Sequence, residues 1–199
     1  MTPPLVLASG SAIRAQLLRN AGLEFEVLPV RIDEEAVRAA MVAEGAPGRD
    51  IADALAGMKA RKAAEKAPGA LVLGCDQVLE SGGQVFGKAE TRDEGRDQLR
   101  LLRGQRHSLL SAAVLVEDGR EVWRHVGVAR MAMRDFSDAY LDAYLDRTWE
   151  EVRHSVGCYQ IEGEGVRLMG RVDGDYFSIL GLPLVELLNY LSVRGVIAT

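Results

Sequence analysis

Cysteine is scarce in this chain: Cys75 and Cys158 are the only two among 199 residues. Two cysteines are too few for a disulfide framework. The three histidines, His107, His125 and His154, stand far apart without Cys or carboxylate neighbours at metal-ligand spacing, so no zinc site is expected. No apolar run approaches the roughly 20 residues that a bilayer span needs. The G-x-S-x-G elbow, the Walker loop and G-x-G-x-x-G are all missing, which removes the sequence signatures of serine hydrolases, P-loop NTPases and dinucleotide-binding proteins. A basic excess is missing too: the net charge is −5, so nothing draws the whole chain to nucleic acid or to an anionic membrane, and any anion site must be local. Without a basic-then-apolar leader, the expected home is a reducing cytoplasm. Neither an internal repeat nor a low-complexity tract breaks the chain, and residues 1–199 are expected to form one domain or one compact two-lobed unit.

What is present points to α/β order. Leu5, Val6 and Leu7 read as a short strand, Ser9-Gly10-Ser11 as a loop, and Ile13, Leu17, Leu18 and Ala21 recur at helical spacing up to Gly22. The loop therefore sits at a helix N-terminus, where unpaired backbone N–H groups and the positive dipole end favour an anion. Ser9 and Ser11 add hydroxyl donors and Arg14 a bidentate fork; a serine in this place also serves as a plain N-cap.

Further along, FEVLPV reads as a strand ending near Pro29, and IDEEAVRAAMVAEG as a helix with Asp33 and Glu34 in its first turn. Asp50 is placed to cap a long helix running to about Lys66, with Lys59 next to its apolar face. ALVLG then forms a buried strand that ends in Cys75-Asp76-Gln77, the place where ligands gather in open α/β sheets. A turn at Ser81-Gly82-Gly83 between two β-like runs brings Lys88 back beside Asp76, joining a candidate base to a cation.

Thr91 to Glu94 is a capping box for a helix closed by Gly104. Its Arg92, Arg96, Arg100 and Arg103 stripe alternates with Asp93, Glu94 and Asp97, the pattern of a salt-bridged solvated face. Two long strands joined at Asp118-Gly119 follow, then a helix after Ser137. Next comes the glycine segment GCYQIEGEG, carrying Tyr159, Gln160, Glu162 and Glu164, whose glycines let backbone approach a ligand. A short strand at VRLM and a last helix with Pro183 near its first turn complete the chain.

LASGSAIRAQLL resembles the opening L-A-S-x-S-P-R-R-x-x-L-L of the Maf proteins, nucleoside triphosphate pyrophosphatases first named for septum formation. Four later segments agree in order: IDEE, LAGMKA, VLGCDQV with FGK up to Lys88, and YQIEGEG with GDYFSILGLPL. Ala12 and Ile13 depart from the pattern, replacing the family's Pro and first Arg. The resemblance implies a Maf/ITPase-like mixed twisted sheet with flanking helices and two lobes around a central cleft. It also implies attack at the α-phosphorus of a nucleoside triphosphate, with Mg²⁺ or Mn²⁺, to give a monophosphate and pyrophosphate. On this basis Asp76 is the catalytic residue, as base or as metal ligand. Glu34 helps hold the metal, and Ser9, Ser11, Arg14, Lys59 and Lys88 hold phosphates.

Three family positions vary with the base: here they are Ile13, Gln77 and Glu162. Gln77 and Glu162 resemble the branch that hydrolyses 7-methyl-GTP, whose first position is Trp; the dTTP and UTP branch has Arg, Thr and Gln. A carboxylate at Glu162 suits the N–H donors of guanine's Watson–Crick edge. The partner expected is thus a small-molecule nucleotide, with no membrane and no stable nucleic-acid complex; the resemblance is compatible with the family's usual homodimer, though nothing in the helices specifies an interface. The rival reading is a nucleotide-binding regulator of cell division.

Overall fold

The computed structural model describes residues 3–198. Seven strands form one mixed sheet in the order β2-β1-β3-β5-β6-β7, with β4 paired to β3 outside that path. In chain order the strands are β1 (Leu5–Leu7), β2 (Glu26–Val27), β3 (Leu71–Ser81), β4 (Gln84–Phe86), β5 (Arg106–Glu117), β6 (Arg120–Met133) and β7 (Met169–Asp173). The helices are α1 (Ala12–Asn20), α2 (Glu34–Ala43), α3 (Gly48–Ala64), α4 (Arg92–Leu102), α5 (Asp138–Val152), α6 (Tyr176–Ile179) and α7 (Leu184–Val193).

The sheet buries both faces, and alternate residues of β3 and β5 divide between them. Val78, Leu110, Ala112, Val114 and Val116 pack against Ile51, Leu55, Ala56 and Ala60 of α3. The opposite face carries two apolar cores side by side. One gathers Leu71, Leu73, Cys75, Ala113 and Leu115 with α1 and α7. The other gathers Leu79, Leu109 and Met131 with Leu99 and Leu102 of α4 and Leu141, Tyr144 and Leu145 of α5. Ile161 touches both. These two cores are the two lobes, and between them the cross-strand pair Gln77 and Ser111 makes a polar seam.

Several elements differ from their expected bounds. The strand expected to end at Asp76 runs on to Ser81, because β5 pairs with it continuously from Leu71 to Glu80. α3 begins at Gly48, not at an Asp50 cap; Pro47 precedes it without a side-chain cap, and Glu80 reaches over from β3 to accept from Gly48 N at 2.9 Å. The strand near Pro29 shrinks to Glu26–Val27, and VRLM is mostly a 3-10 turn with β7 starting at Met169. Pro183 stands at the N-cap of α7, near its first turn as expected. The arginines of α4 find their main partners on a second helix: Arg92, Arg96 and Arg100 meet Asp146, Asp142 and Asp138 of α5 in register, and Arg103 also meets Asp138.

Candidate active site

β3 is exposed along one edge for a short distance only. β1 pairs in parallel with Leu71–Leu73 and then stops, while β4 pairs with Leu79–Ser81. Between them, residues 74–78 keep β5 on one side and have no strand on the other. A cleft of about 820 Å³ opens over this gap, within the roughly 300–1,000 Å³ typical of ligand sites. Asp76 lies in the middle of the gap. It is not at a strand end, as the sequence suggested, yet it sits where β1 runs out, so the rule that ligands collect beyond the carboxyl ends of parallel strands holds for β1.

Asp76 points to the α3 face of the sheet, and a close approach of α3 delivers its partner. A Cβ on Gly74 would stand 2.2 Å from Ala56 O and 2.6 Å from Ala60 N, so only glycine lets α3 lie this near β3. Lys59, next to Ala60, thereby places Nζ 2.6 Å from Asp76 Oδ1. The same ammonium lies 2.7 Å from Glu34 Oε1 at the start of α2. Lys59 is 8% exposed and Asp76 6%, so this pair is shielded from bulk water, while the Glu34 side chain is 36% exposed.

Burial lifts the Asp76 carboxyl above its ordinary value even though Lys59 and Arg14 work against the shift. Burial also acts to raise Glu34, but there the hydrogen bond and charge of Lys59, with the charges of Lys88 and Arg38, outweigh it and hold the group below the usual range. Two carboxylates on one lysine are thus pushed in opposite directions, which suits Asp76 to taking a proton and Glu34 to staying charged. Burial pushes the neighbouring Cys75 thiol up to about 11, which keeps it protonated and inert.

The other wall is the Ser9–Ser11 loop. Ser11 caps α1, its hydroxyl accepting from Arg14 N at 3.5 Å, while Ser9 Oγ accepts from Ser11 N at 3.2 Å. Capping and an anion site coexist here, since Gly10, Ser11, Ala12 and Ile13 at the start of α1 line the cleft. The Arg14 guanidinium is anchored: Nε donates to Gly181 O at 2.8 Å and Nη1 to Cys75 O at 3.3 Å. Two of its three nitrogens are spent on backbone carbonyls, so the bidentate fork expected from sequence is partly committed.

On the other face of β3, Gln77 Nε2 donates to Ile179 O at 2.9 Å, Ser178 O at 3.2 Å and Ser111 Oγ at 2.9 Å. Ser111, fully buried, passes its own hydrogen to Ser178 O at 2.6 Å. Because Nε2 faces carbonyls, the amide orientation is fixed, and Oε1 is what Gln77 has left for a ligand. Glu162, exposed on the glycine segment, lines the same cleft with Ile13. The glycines of that segment do not all serve a ligand: a Cβ at Gly165 would meet Gln160 O at 2.5 Å, so this one folds the loop on itself. Glu164 is likewise structural, accepting from Arg147 Nη2 at 2.5 Å.

All ten residues singled out in the sequence, Ser9, Ser11, Ile13, Arg14, Glu34, Lys59, Asp76, Gln77, Lys88 and Glu162, line this one cleft. Lys88, expected beside Asp76, lines the cleft after β4, and the carboxylate that feels its charge is Glu34. Sequence reading missed Arg38 and the rim around the end of α5, where Glu151, His154 and Ser155 stand, and the buried Ser111 that holds Gln77 from behind. Arg38 could have been found four residues after Glu34, on the same helix face. It also missed His107, which is buried with Nε2 2.7 Å from the Tyr159 hydroxyl. Burial lowers the His107 pKa to about 4, which makes it a neutral support under the cleft.

Fold and cleft together define an α/β protein built to hold a nucleotide-sized anion against a buried carboxylate. The chain belongs to the Maf-like protein family, whose model matches residues 4–194. It is 58% identical over 199 residues to the "Nucleoside triphosphate pyrophosphatase" of Ruegeria pomeroyi, covering 100% of both chains. The protein of that name from Roseobacter denitrificans is 57% identical over 98% of each chain. The "7-methyl-GTP pyrophosphatase" of Brucella abortus is 47% identical over 96% of each.

Proposed function

We propose that this chain is a house-cleaning nucleoside triphosphate pyrophosphatase that cuts between the α- and β-phosphates, with 7-methyl-GTP or another modified nucleotide as substrate. The observation that carries the reading is the Asp76 carboxylate, buried at the floor of the cleft 2.6 Å from Lys59 and facing the serine loop at the N-terminus of α1. The serine hydroxyls and first-turn N–H groups of α1 hold phosphate oxygens, with Lys88 and the remaining nitrogen of Arg14. Lys59 fixes Asp76 through Oδ1, leaving Oδ2 to take a proton from the attacking water. Positioning and charge stabilisation then account for most of the catalysis.

The donor chemistry also suits a divalent cation. Among the described residues no three His, Cys, Asp or Glu side chains are grouped to hold a metal. Two carboxylates, Glu34 and Asp76, share Lys59 instead. Magnesium commonly takes one or two carboxylates and completes its shell with water and phosphate oxygens, so these residues fit an Mg²⁺ or Mn²⁺ that arrives with the nucleotide. Such a cation would neutralise charge on the phosphates.

Gln77 and Glu162 support a guanine-like base. With Nε2 tied to backbone, Gln77 offers an acceptor, and Glu162 offers two more, which match a base edge rich in N–H donors. No helix among the described residues is long and apolar enough to cross a membrane. The reducing cytoplasm is the compartment we infer, and two unpaired, buried cysteines suit it.

Incubation of the purified protein with a panel of triphosphates and Mg²⁺ or Mn²⁺, followed by chromatography, tests the reading. Monophosphate and pyrophosphate are expected, fastest from 7-methyl-GTP. Diphosphate and orthophosphate would put cleavage at the wrong bond, and a preference for dTTP or UTP would overturn the base assignment alone.

A further inference from the structure

The cations first assigned to phosphate are fewer than they look. Lys59 lies between two carboxylates, and Arg14 gives Nε and Nη1 to backbone carbonyls. A triphosphate brings several negative charges, and Lys88 with the one remaining nitrogen of Arg14 is a thin protein counterweight, even beside a divalent cation. The structure supplies another cation in Arg38.

Arg38 stands four residues after Glu34, so it shares the face of α2 that looks into the cleft. Its side chain is 15% exposed, whereas Glu35, the carboxylate it pairs with, is 77% exposed. The guanidinium is therefore drawn inward instead of reaching for solvent. What it lies against is Gly87: a Cβ there would stand 2.5 Å from Arg38 Nη1. Gly87 immediately precedes Lys88, and Arg38, Lys88 and Glu34 line the cleft together. A missing side chain at residue 87 thus seats one cation beside the next. Arg38 has five N–H donors and spends Nη1 on Glu35, so a face of its fork stays open to phosphate oxygens.

We propose that Arg38, seated on Gly87 beside Lys88, binds the β- and γ-phosphates and so holds the pyrophosphate leaving group. The placement follows from the order of groups along the cleft. Lys59 bridges Asp76, at the reacting phosphorus, to Glu34, and Arg38 and Lys88 stand with Glu34 on that side, while Gln77 faces α6 on the opposite face of β3. Arg38 is a binding residue here, not a proton carrier. The proposal rests on the pyrophosphatase reading given above.

The test compares wild type, Arg38→Gln, Arg38→Lys and Gly87→Ala. For each, kcat and KM are measured with Mg²⁺, together with inhibition by pyrophosphate and by the nucleoside monophosphate. Losing charged hydrogen bonds should weaken pyrophosphate inhibition by roughly 10-fold or more in Arg38→Gln, raise KM, and leave monophosphate inhibition where it was. Lysine restores charge without the fork, so Arg38→Lys should recover only part. Gly87→Ala should act in the same direction as Arg38→Gln, since its methyl takes the guanidinium's place. Its melting temperature should stay unchanged, because the displaced group is the free end of a flexible side chain; this variant decides the matter if Arg38→Gln folds poorly.

Unchanged pyrophosphate inhibition in Arg38→Gln, or an equal loss for the monophosphate, overturns the proposal. Calorimetric titration of wild type and Arg38→Gln with pyrophosphate and Mg²⁺ reads the site without turnover. Product analysis of wild type fails separately if the reaction itself is wrong.

Discussion

On the proposed reading the proton transfer falls to a single buried carboxylate, Asp76, and its surroundings say what its loss should do. Asp76→Asn keeps shape and hydrogen-bonding capacity beside Lys59 but removes the group that takes a proton. Turnover should fall by at least roughly 100-fold, typical of losing a general base, while KM stays close to wild type. Steady-state kinetics decide it, and near-normal turnover would return Asp76 to a structural role. The pH profile is a second readout of the same residue. Because burial raises the Asp76 pKa from 3.8, the proton-accepting form is lost sooner on acidification than for an ordinary aspartate. The acid limb of kcat/KM should therefore lie above the usual carboxylate range. A limb at or below pH 3.8 would mean that Lys59 dominates over burial.

At the scale of elements, the site is assembled by two backbone approaches that no polar motif announces. α3 lies so close to β3 that Gly74 faces Ala56 O at the distance a Cβ would leave as 2.2 Å. A methyl there meets backbone, which cannot swing aside. Gly74→Ala should cost at least the roughly 1–3 kcal/mol of an overpacked core, lowering Tm by about 2–4 °C per kcal/mol for a chain of this size. It should also lengthen the Lys59–Asp76 contact, so activity should drop even in the fraction that folds. Thermal melting and kinetics on the same sample check both effects; a variant with wild-type Tm and activity would show that the helix is free to shift.

The second approach fixes Gln77, the residue proposed to meet the base. α6, four residues long, turns the carbonyls of Ser178 and Ile179 onto Gln77. The sequence GDYFSILGLPL showed a loop and a helix start but no reason for those carbonyls to be there.

Across the whole molecule, the cleft at the open edge of β3 is lined by residues of both apolar cores on one face and by α2 and α3 on the other, so a ligand that fills it ties these parts together. A non-hydrolysable triphosphate analogue with Mg²⁺ at 100 times its Kd should add about 2.7 kcal/mol to stability, or roughly 5–11 °C in Tm at about 2–4 °C per kcal/mol. Differential scanning fluorimetry measures it. A shift no larger for the analogue than for inorganic phosphate would show that only the serine loop engages the ligand.

Local chemistry made much of this legible in the sequence. Hydrophobic periodicity marked most strands and helices, because burying one face needs a fixed repeat whatever the fold. Gly22, Gly82-Gly83 and Asp118-Gly119 marked turns because few residues accept positive φ, and all five adopt it. The ordered motifs, whose chemistry depends on residue type, named ten side chains that one cleft gathers.

What the chain order could not supply was distance. The length of β3 was set by β5, a partner about 40 residues later, and not by the local Cys75-Asp76-Gln77 that reads as an ending. The arginine stripe of α4 took its partners from α5, because helix packing aligned the two charge rows. The opposite pKa shifts of Asp76 and Glu34 came from unequal burial around one shared lysine, and burial is a property of packing. Arg38 and Ser111 joined the site for the same reason. Residue type and spacing determined which groups were available, and only the tertiary structure decided which of them stand within reach of one another.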